Sequence, residues 1–375
     1  MYFAENRDIM INKYFFGECF VMKDIYEYED SLVQRKKLVL IHILSILQKH
    51  TDAEHTLTVE QIRQRLEADY GIIVDRKAVK KNLLDLIAYG YEIGYTEKTR
   101  YTHGKTEKML TDWYILRDFT DAELRLIVDS LLFSKHIPYN QCKELIGKLE
   151  KLSNKYFSSK VKHIRNMPEN LPQNPELFLT IEILDEAIEK SMQVEFEYCE
   201  FGVDKKLHPR KNYKNQPKRY TVNPYQMVAT NGRYYLIANF DYFENVGHYR
   251  IDRIKNIRLV EGSHRKPAEK VKELKNGLEL PTHMAEHIYM FSGECGMVTF
   301  KAKKYIISDV IDWFGKDVRL FDETEDEISV SVRVNYQAMK YWAMQYGVHI
   351  TVTSPPSLVR EIRKDVTAVA EKYKT

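Results

Sequence analysis

Between residues 194 and 261 the apolar residues recur at every second position. The segments VEFEYCEF, RYTVNPYQMVA, RYYLIANF and HYRIDRIKNIRLVE each alternate apolar with polar side chains, the period of a strand with one buried face. Asn231-Gly232 lies between two of them, and Asn-Gly is the pair that tolerates the positive φ angles of a two-residue hairpin. About four or five short antiparallel strands are expected, forming a small sheet or barrel.

Upstream the apolar period becomes helical. In residues 31–50, Leu40, Ile43, Leu44 and Leu47 share one helical face. Thr58-Val59-Glu60-Gln61 reads as a capping box, opening a helix with Ile62 and Leu66 inward that stops near Tyr70-Gly71. Asp75 caps a third helix whose apolar stripe is Val79, Leu83, Leu86 and Ile87, ended by Tyr89-Gly90. The Tyr- and Thr-rich stretch after Gly90 reads as two strands joined by a loop at Thr102-His103-Gly104-Lys105. Residues 31–117 are therefore expected to form a winged helix-turn-helix domain, preceded by an N-terminal extension, 1–30.

A helical connector is expected over 118–175. Thr120-Asp121-Ala122-Glu123 is a second capping box, with Leu124, Ile127, Val128 and Leu131 inside, and a further helix runs from about Asn140 to Tyr156. Pro168, Pro172 and Pro175 mark a linker. A helix over 178–191 leads into the strands of a domain spanning 176–262, and a charged, helical connector follows over 263–292. Residues 293–375 read strand (297–303), helix (305–314), strand (317–321), strand (327–334), helix (336–346), strand (348–352). That βαββαβ order is ferredoxin-like, and a final helix starts at Pro355-Pro356. The fold class is α+β and multidomain.

The chain has 375 residues, enough for about two to four domains. Lys and Arg exceed Asp and Glu by only 3 charges, so any nucleic-acid affinity must come from local patches rather than a global field. Cys19, Cys142, Cys199 and Cys295 are far apart with no CxxC pair, which argues against a zinc ribbon or disulfide framework and fits a reducing cytoplasm. No apolar run approaches the roughly 20 residues of a membrane span. The first 30 residues carry acids and lack the apolar stretch of a secretory signal; Met22 is an alternative start.

Two basic groupings suit nucleic acid. Arg76, Lys77, Lys80, Lys81 and Asn82 fall along the solvent side of the third helix, where such side chains read base edges or hold phosphates from the major groove. The hairpin adds Lys98, Arg100, His103, Lys105 and Lys108 for backbone contacts. A solvated basic face is the bland alternative, but the three-helix spacing with a basic hairpin favours double-stranded DNA.

The motifs Arg219-Tyr220-Thr221-Val222-Asn223-Pro224-Tyr225, Asn231-Gly232-Arg233-Tyr234-Tyr235-Leu236-Ile237-Ala238 and Tyr249-Arg250-Ile251-Asp252-Arg253-Ile254 resemble the WYL domain in order and spacing. Tyr234-Tyr235-Leu236 stands where the family has Trp-Tyr-Leu. The flanking winged helix and C-terminal βαββαβ extension, of the WCX type, also resemble that family's transcription regulators. The resemblance implies an Sm/SH3-like small barrel that senses single-stranded nucleic acid or a nucleotide. It implies ligand contacts from Arg219, Tyr235, Arg250 and Arg253, and from Tyr198 and His248. Arginine offers phosphate a planar fork and tyrosine offers a base a stacking face. Arg250 and Arg253 stand three apart, so on one continuous strand they face opposite sides; only a bulge or strand end between them lets both serve.

The run Lys205 to Arg219 holds eight basic residues, counting His208, and no acid. It reads either as a solvated loop or as an electrostatic funnel beside the sheet. His283-Met284-Ala285-Glu286-His287 fits the H-x-x-E-H pattern of a zinc protease, but it lies in a connector and reads better as two histidines on a helix surface. Trp313, Phe314, Tyr341, Trp342 and Tyr346 are spaced as helix core or interface anchors. Phosphate-loop, dinucleotide and nucleophile-elbow motifs are lacking. The expectation is a cytoplasmic, homodimeric, ligand-responsive DNA-binding transcription regulator. It needs no enzyme activity, cofactor, metal or membrane. The alternative is an accessory RNA- or single-strand-binding protein modulating a nuclease or a CRISPR-type defence effector.

Overall fold

Thr58 accepts a hydrogen bond from the Gln61 backbone while the Gln61 side chain returns to the Thr58 N–H, so the predicted capping box forms. The computed structural model that shows this describes residues 38–102, 105–134, 136–157, 174–275 and 277–374. The N-terminal extension 1–30 with Met22, His103 of the hairpin loop, and Pro168 and Pro172 of the linker lie outside the described residues. The chain divides into two units. One ends at Asp121 and takes back the segment from Glu150. The other holds Ala122–Leu149 and the rest of the chain.

In the first unit three helices, α1 (Val39–His50), α2 (Val59–Tyr70) and α3 (Arg76–Tyr89), precede a two-stranded antiparallel sheet of β1 (Ile93–Thr102) and β2 (Lys105–Ile115). The Asp75 side chain caps α3 through the Ala78 N–H. Gly71 and Gly90 close α2 and α3 in left-handed conformation, where a Cβ would be strained. Ile43, Leu47, Ile62, Leu66, Val79, Leu83 and Leu86 form the core with Trp113. Burial of each such side chain contributes about 1.5–3 kcal/mol. On α1 the buried apolar positions are Val39, Ile43, Ile46 and Leu47, so Leu40 and Leu44 sit at its margin rather than at its centre. Leu57 pairs with Trp113 as an isolated bridge, extending the hairpin by one residue on a third segment.

The second unit begins with α4 (Asp121–Phe133) and α5 (Tyr139–Glu150). The expectation of helix to Tyr156 was too long; the chain turns after Glu150. After a turn at Pro175, α6 (Leu177–Glu189) packs on a curled sheet of β3 (Val194–Phe201), β4 (Leu207–Pro209), β5 (Arg219–Thr230), β6 (Arg233–Asn239), β7 (Val246–Arg250) and β8 (Ile254–Leu259). The order is β4-β3-β5-β6-β7, with β8 on β3. Asn231 and Gly232 both have positive φ and join β5 to β6, pairing Thr230 with Arg233. A register shift beside Pro224 absorbs the residue that cannot donate to the ladder.

Both faces of this sheet are covered. Leu236 and Ala238 face a core with α6, while Tyr235 and Ile237 face another with Val271, Leu274 and Met290. Asn223 is fully buried and meets four partners: its side-chain N–H bonds reach the Asn239 carbonyl and Asp241, and its oxygen receives Gln193 and the Lys266 N–H. Two expectations need correction here. HYRIDRIKNIRLVE is two strands separated by a 3-10 turn at Ile251–Arg253, and among its described residues the 264–290 stretch holds only short 3-10 turns and α7 (Leu280–Glu286).

The C-terminal part follows as β9 (Cys295–Lys303), α8 (Ile307–Phe314), β10 (Arg319–Phe321), β11 (Glu327–Asn335), α9 (Tyr336–Gln345), β12 (Ile350–Ser354) and α10 (Pro356–Lys372). The expected βαββαβ succession holds. All neighbours are antiparallel in the order β10-β11-β9-β12. Phe300, Phe314 and Trp342 meet in its core, with ring centroids 4.8 to 6.2 Å apart. Tyr341 is exposed. No described helix is long and apolar enough to cross a membrane.

Candidate functional site

The 3-10 turn between β7 and β8 decides the geometry around the second basic motif. Because the strand ends at Arg250, Arg250 and Arg253 are not forced to opposite faces of one ladder. Arg250 stands opposite Tyr235 across β6 and β7. Its guanidinium forks onto Asp252, at 3.0 Å from Nε and 2.5 Å from Nη2, a pair whose side chains are only 14% and 9% exposed. The Arg250 N–H donates to the Tyr198 hydroxyl at 3.1 Å. Arg253 lies over the Phe201 ring, and its buried Nε has no described partner.

A third cation, Arg233 at the start of β6, completes the group. Burial lowers its pKa, and Arg250 and Arg253 nearby add to the effect while Asp252 opposes it. Burial raises the Tyr235 and Tyr198 hydroxyls, and both sense Arg250, Arg253 and Asp252. For Arg250, burial works to lower the pKa, and the Asp252 carboxylate overrides it. Arg250 alone is paired with Asp252, so Arg233 and Arg253 stand near it with no ion pair to a described carboxylate. Like-charged groups held close in a partly buried site favour an anion that balances them. Tyr198 and Tyr235 are 6% and 9% exposed, so neither presents an open ring face; Tyr198 works as an acceptor fixing the Arg250 backbone. Arg233 and Asp252 stood inside the motifs, but alternation alone did not show that they converge. His136 joins from outside the motifs, 3.3 Å from the Gly232 carbonyl.

Two other expected ligand residues lie elsewhere. Arg219 projects to the face carrying Glu195 and Glu197, 2.9 and 3.8 Å away, and Arg258 shares Glu195. His248 is two residues before Arg250 but contacts His283 and His287. In the basic run, Glu200 and Asp204, just before it, pair with Arg210 and His208. Arg210 also lies over the Tyr198 ring, 5.2 Å from its centroid.

The histidine pair corrects a further expectation. His283 and His287 are 7% and 2% exposed, not surface residues, because α7 packs its histidine side on β7. Burial, reinforced by the neighbouring imidazoles, holds His248 down to about 2. Burial likewise brings His283 to about 4 and lowers His287. Cys295 lies against them, its Sγ 3.3 Å from His287 Nε2; sequence spacing missed it because it comes from the next strand. Glu286, the base in a protease reading, pairs instead with Arg333 of β11 at 3.0 Å.

On α3, Lys77 and Lys81 are exposed and Lys80 half-exposed, opposite Val79, Leu83 and Leu86. None of the three forms an ion pair with a described residue. Arg76 is held by Glu60 of α2 at 2.7 Å. Hydrogen bonds from Arg63 and Arg76 bring the Glu60 carboxyl down to about 2. Asn82 turns back to the Ala78 carbonyl at 2.8 Å. On the hairpin Arg100 is exposed, while Lys98 pairs with Asp112 and Lys108 with Glu97. Lys105 lies opposite Thr102 in the ladder.

Residues 180–259, which hold the arginine group, match the WYL domain family. The chain contains a WYL domain. No curated protein matches the sequence. Among solved structures it is similar to proteasome accessory factor B/C of Arthrobacter aurescens, at 15% identity and a TM-score of 0.29, covering 90% of this chain and 48% of that one. It thus spans about half the length of that relative. It is also similar to a CRISPR Cas-related protein, at 13% identity and a TM-score of 0.35, covering 91% and 85%. The WYL match encloses Tyr198, Arg219, Arg233, Tyr235, His248, Arg250 and Arg253, and leaves His283, His287 and Cys295 outside.

Proposed function

We propose that this WYL protein is a transcription regulator that binds duplex DNA through α3 and the β1–β2 hairpin and responds to an anionic ligand, single-stranded nucleic acid or a nucleotide, at the WYL arginine group. The observation that carries the reading is the proximity of Arg233, Arg250 and Arg253, of which only Arg250 is paired, with Asp252. Phosphate is the matching ligand group, since a guanidinium donates two parallel hydrogen bonds to it. The first unit reads as a winged helix, with Lys77, Lys80 and Lys81 free for a groove and Arg100 for the backbone. The curled sheet reads as the Sm/SH3-like barrel. The strand order of the C-terminal sheet reads as a ferredoxin-like, WCX-type module that joins two copies. Two copies would present two recognition helices to two half-sites, and ligand binding acts on transcription only by favouring one dimer geometry over another. The reading requires no catalysis and places the protein in the cytoplasm.

The test is fluorescence anisotropy of the full chain against its own upstream promoter, a scrambled duplex and a short single strand, each at two salt concentrations, because salt governs phosphate contacts. Preference for the promoter, shifted by the single strand, supports the regulator. Binding to the single strand with no duplex preference replaces it with an accessory RNA- or single-strand-binding protein of a nuclease or defence system.

A further inference from the structure

The histidine cluster between β7 and α7 plays no part in that reading. One nitrogen from each of His248, His283 and His287 lies within 4.8 Å of those of the other two. His248 Nε2 and His283 Nε2 are 2.8 Å apart. His287 Nδ1 is 2.9 Å from the His283 carbonyl; a carbonyl only accepts, so Nδ1 carries the proton and Nε2 keeps its lone pair. That lone pair points toward Cys295 Sγ. Two more polar atoms here, His248 Nδ1 and Glu273 Oε2, are buried with no hydrogen-bond partner among the described residues.

We propose that His248, His283 and His287 bind one divalent transition metal of the zinc class, with Cys295 supplying the fourth ligand. Imidazole nitrogen and thiolate sulfur are both donors zinc takes, at about 2.0–2.1 Å to nitrogen and about 2.3 Å to sulfur, and the Cys295 thiol would release its proton to solvent on binding. Magnesium and calcium prefer oxygen donors. Neutral imidazole is the form that binds such a metal. The His287 Nδ1–H bond to a carbonyl is the outer support that orients a metal-bound histidine. The groups facing the cluster are Glu273 and Glu286, with Arg333 on the Glu286 carboxylate. With Glu286 so engaged, the metal is structural. It joins β7 of the WYL domain to α7 and β9, which follow that domain.

The full chain is stripped with chelator and titrated with Zn²⁺ against a chromophoric competitor, and metal content is measured by mass spectrometry. One zinc per chain is expected, and loss of either His283 or His287 as alanine should weaken it at least about 100-fold. Co²⁺ should give the visible bands of a tetrahedral site, with a sulfur charge-transfer band that Cys295→Ser removes. A folded wild-type chain, checked by circular dichroism, that takes up neither Zn²⁺ nor Co²⁺ overturns the site and leaves a packed histidine cluster. Cobalt bands without the sulfur transition overturn the Cys295 assignment. The wild-type measurement decides the matter even where an alanine variant fails to fold. None of these readouts depends on DNA or on the WYL ligand.

Discussion

The hydroxyl of Tyr198 on β3 accepts the backbone N–H of Arg250 where β7 ends, at 3.1 Å. The bond holds the strand end that lets Arg250 and Arg253 share one site. Tyr198→Phe removes the acceptor and leaves a part-buried N–H unmet, at a cost of about 1–3 kcal/mol. Denaturant unfolding checks the cost, and anisotropy with a labelled single strand checks the expected loss of ligand affinity. Wild-type stability and affinity together would refute this role.

Arg253→Ala should weaken ligand binding and leave promoter binding in the absence of ligand intact. Arg250→Ala should do the same and also destabilise the domain, because Asp252 then stays desolvated and unpaired; for a buried pair broken on one side the cost is about 3–5 kcal/mol. A ligand response equal to wild type in Arg253→Ala argues against the pocket.

Lys80→Ala should weaken duplex binding by about 1–3 kcal/mol if the side chain reads a base, or lower the salt slope by about 1 if it holds a phosphate. Asn82→Ala should change little, since its amide is bonded to the Ala78 carbonyl. An unaltered titration for both Lys77→Ala and Lys80→Ala would remove α3 from the DNA interface.

Trp342 is fully buried against Phe300 and Phe314. Trp342→Ala should cost about 3–5 kcal/mol, seen as an earlier melting transition, and should shift the sedimentation profile toward monomer if this module joins two copies. Normal melting would show that the ring is dispensable.

Asp52 ties the turn after α1 to Asn154 at 2.6 Å and to His55. Burial works to raise its pKa, but the hydrogen bonds from His55, Asn154 and the backbone outweigh it and leave it lowered. A lowered folded pKa means the stabilisation is present above the ordinary carboxylate range and is lost as pH falls through the folded value. Asp52→Asn should therefore flatten the acid limb of the stability curve below about pH 4. An acid limb as steep as wild type would count against the assignment.

Periodicity and capping chemistry by themselves determined much of this protein. Thr58, Gln61, Asp75, Gly71 and Gly90 start and stop helices through atoms within a few residues of one another, and Asn231-Gly232 sets its hairpin in the same local way. The six elements of the βαββαβ part were also legible, since each buries one face and shows the matching period. The WYL motifs marked the segment that carries the arginines. Only tertiary structure decided which of those residues meet. Arg219 and Arg250 belong to one motif set, yet strand alternation sends Arg219 to Glu195 while the turn after Arg250 gathers Arg233, Arg253 and Asp252. His248, His287 and Cys295 lie 39 and 8 residues apart along the chain, and nothing in their spacing predicts a shared site. Side-chain convergence depends on how strands curl and which faces pack, and those are settled by burial across the whole sheet rather than by neighbours in sequence.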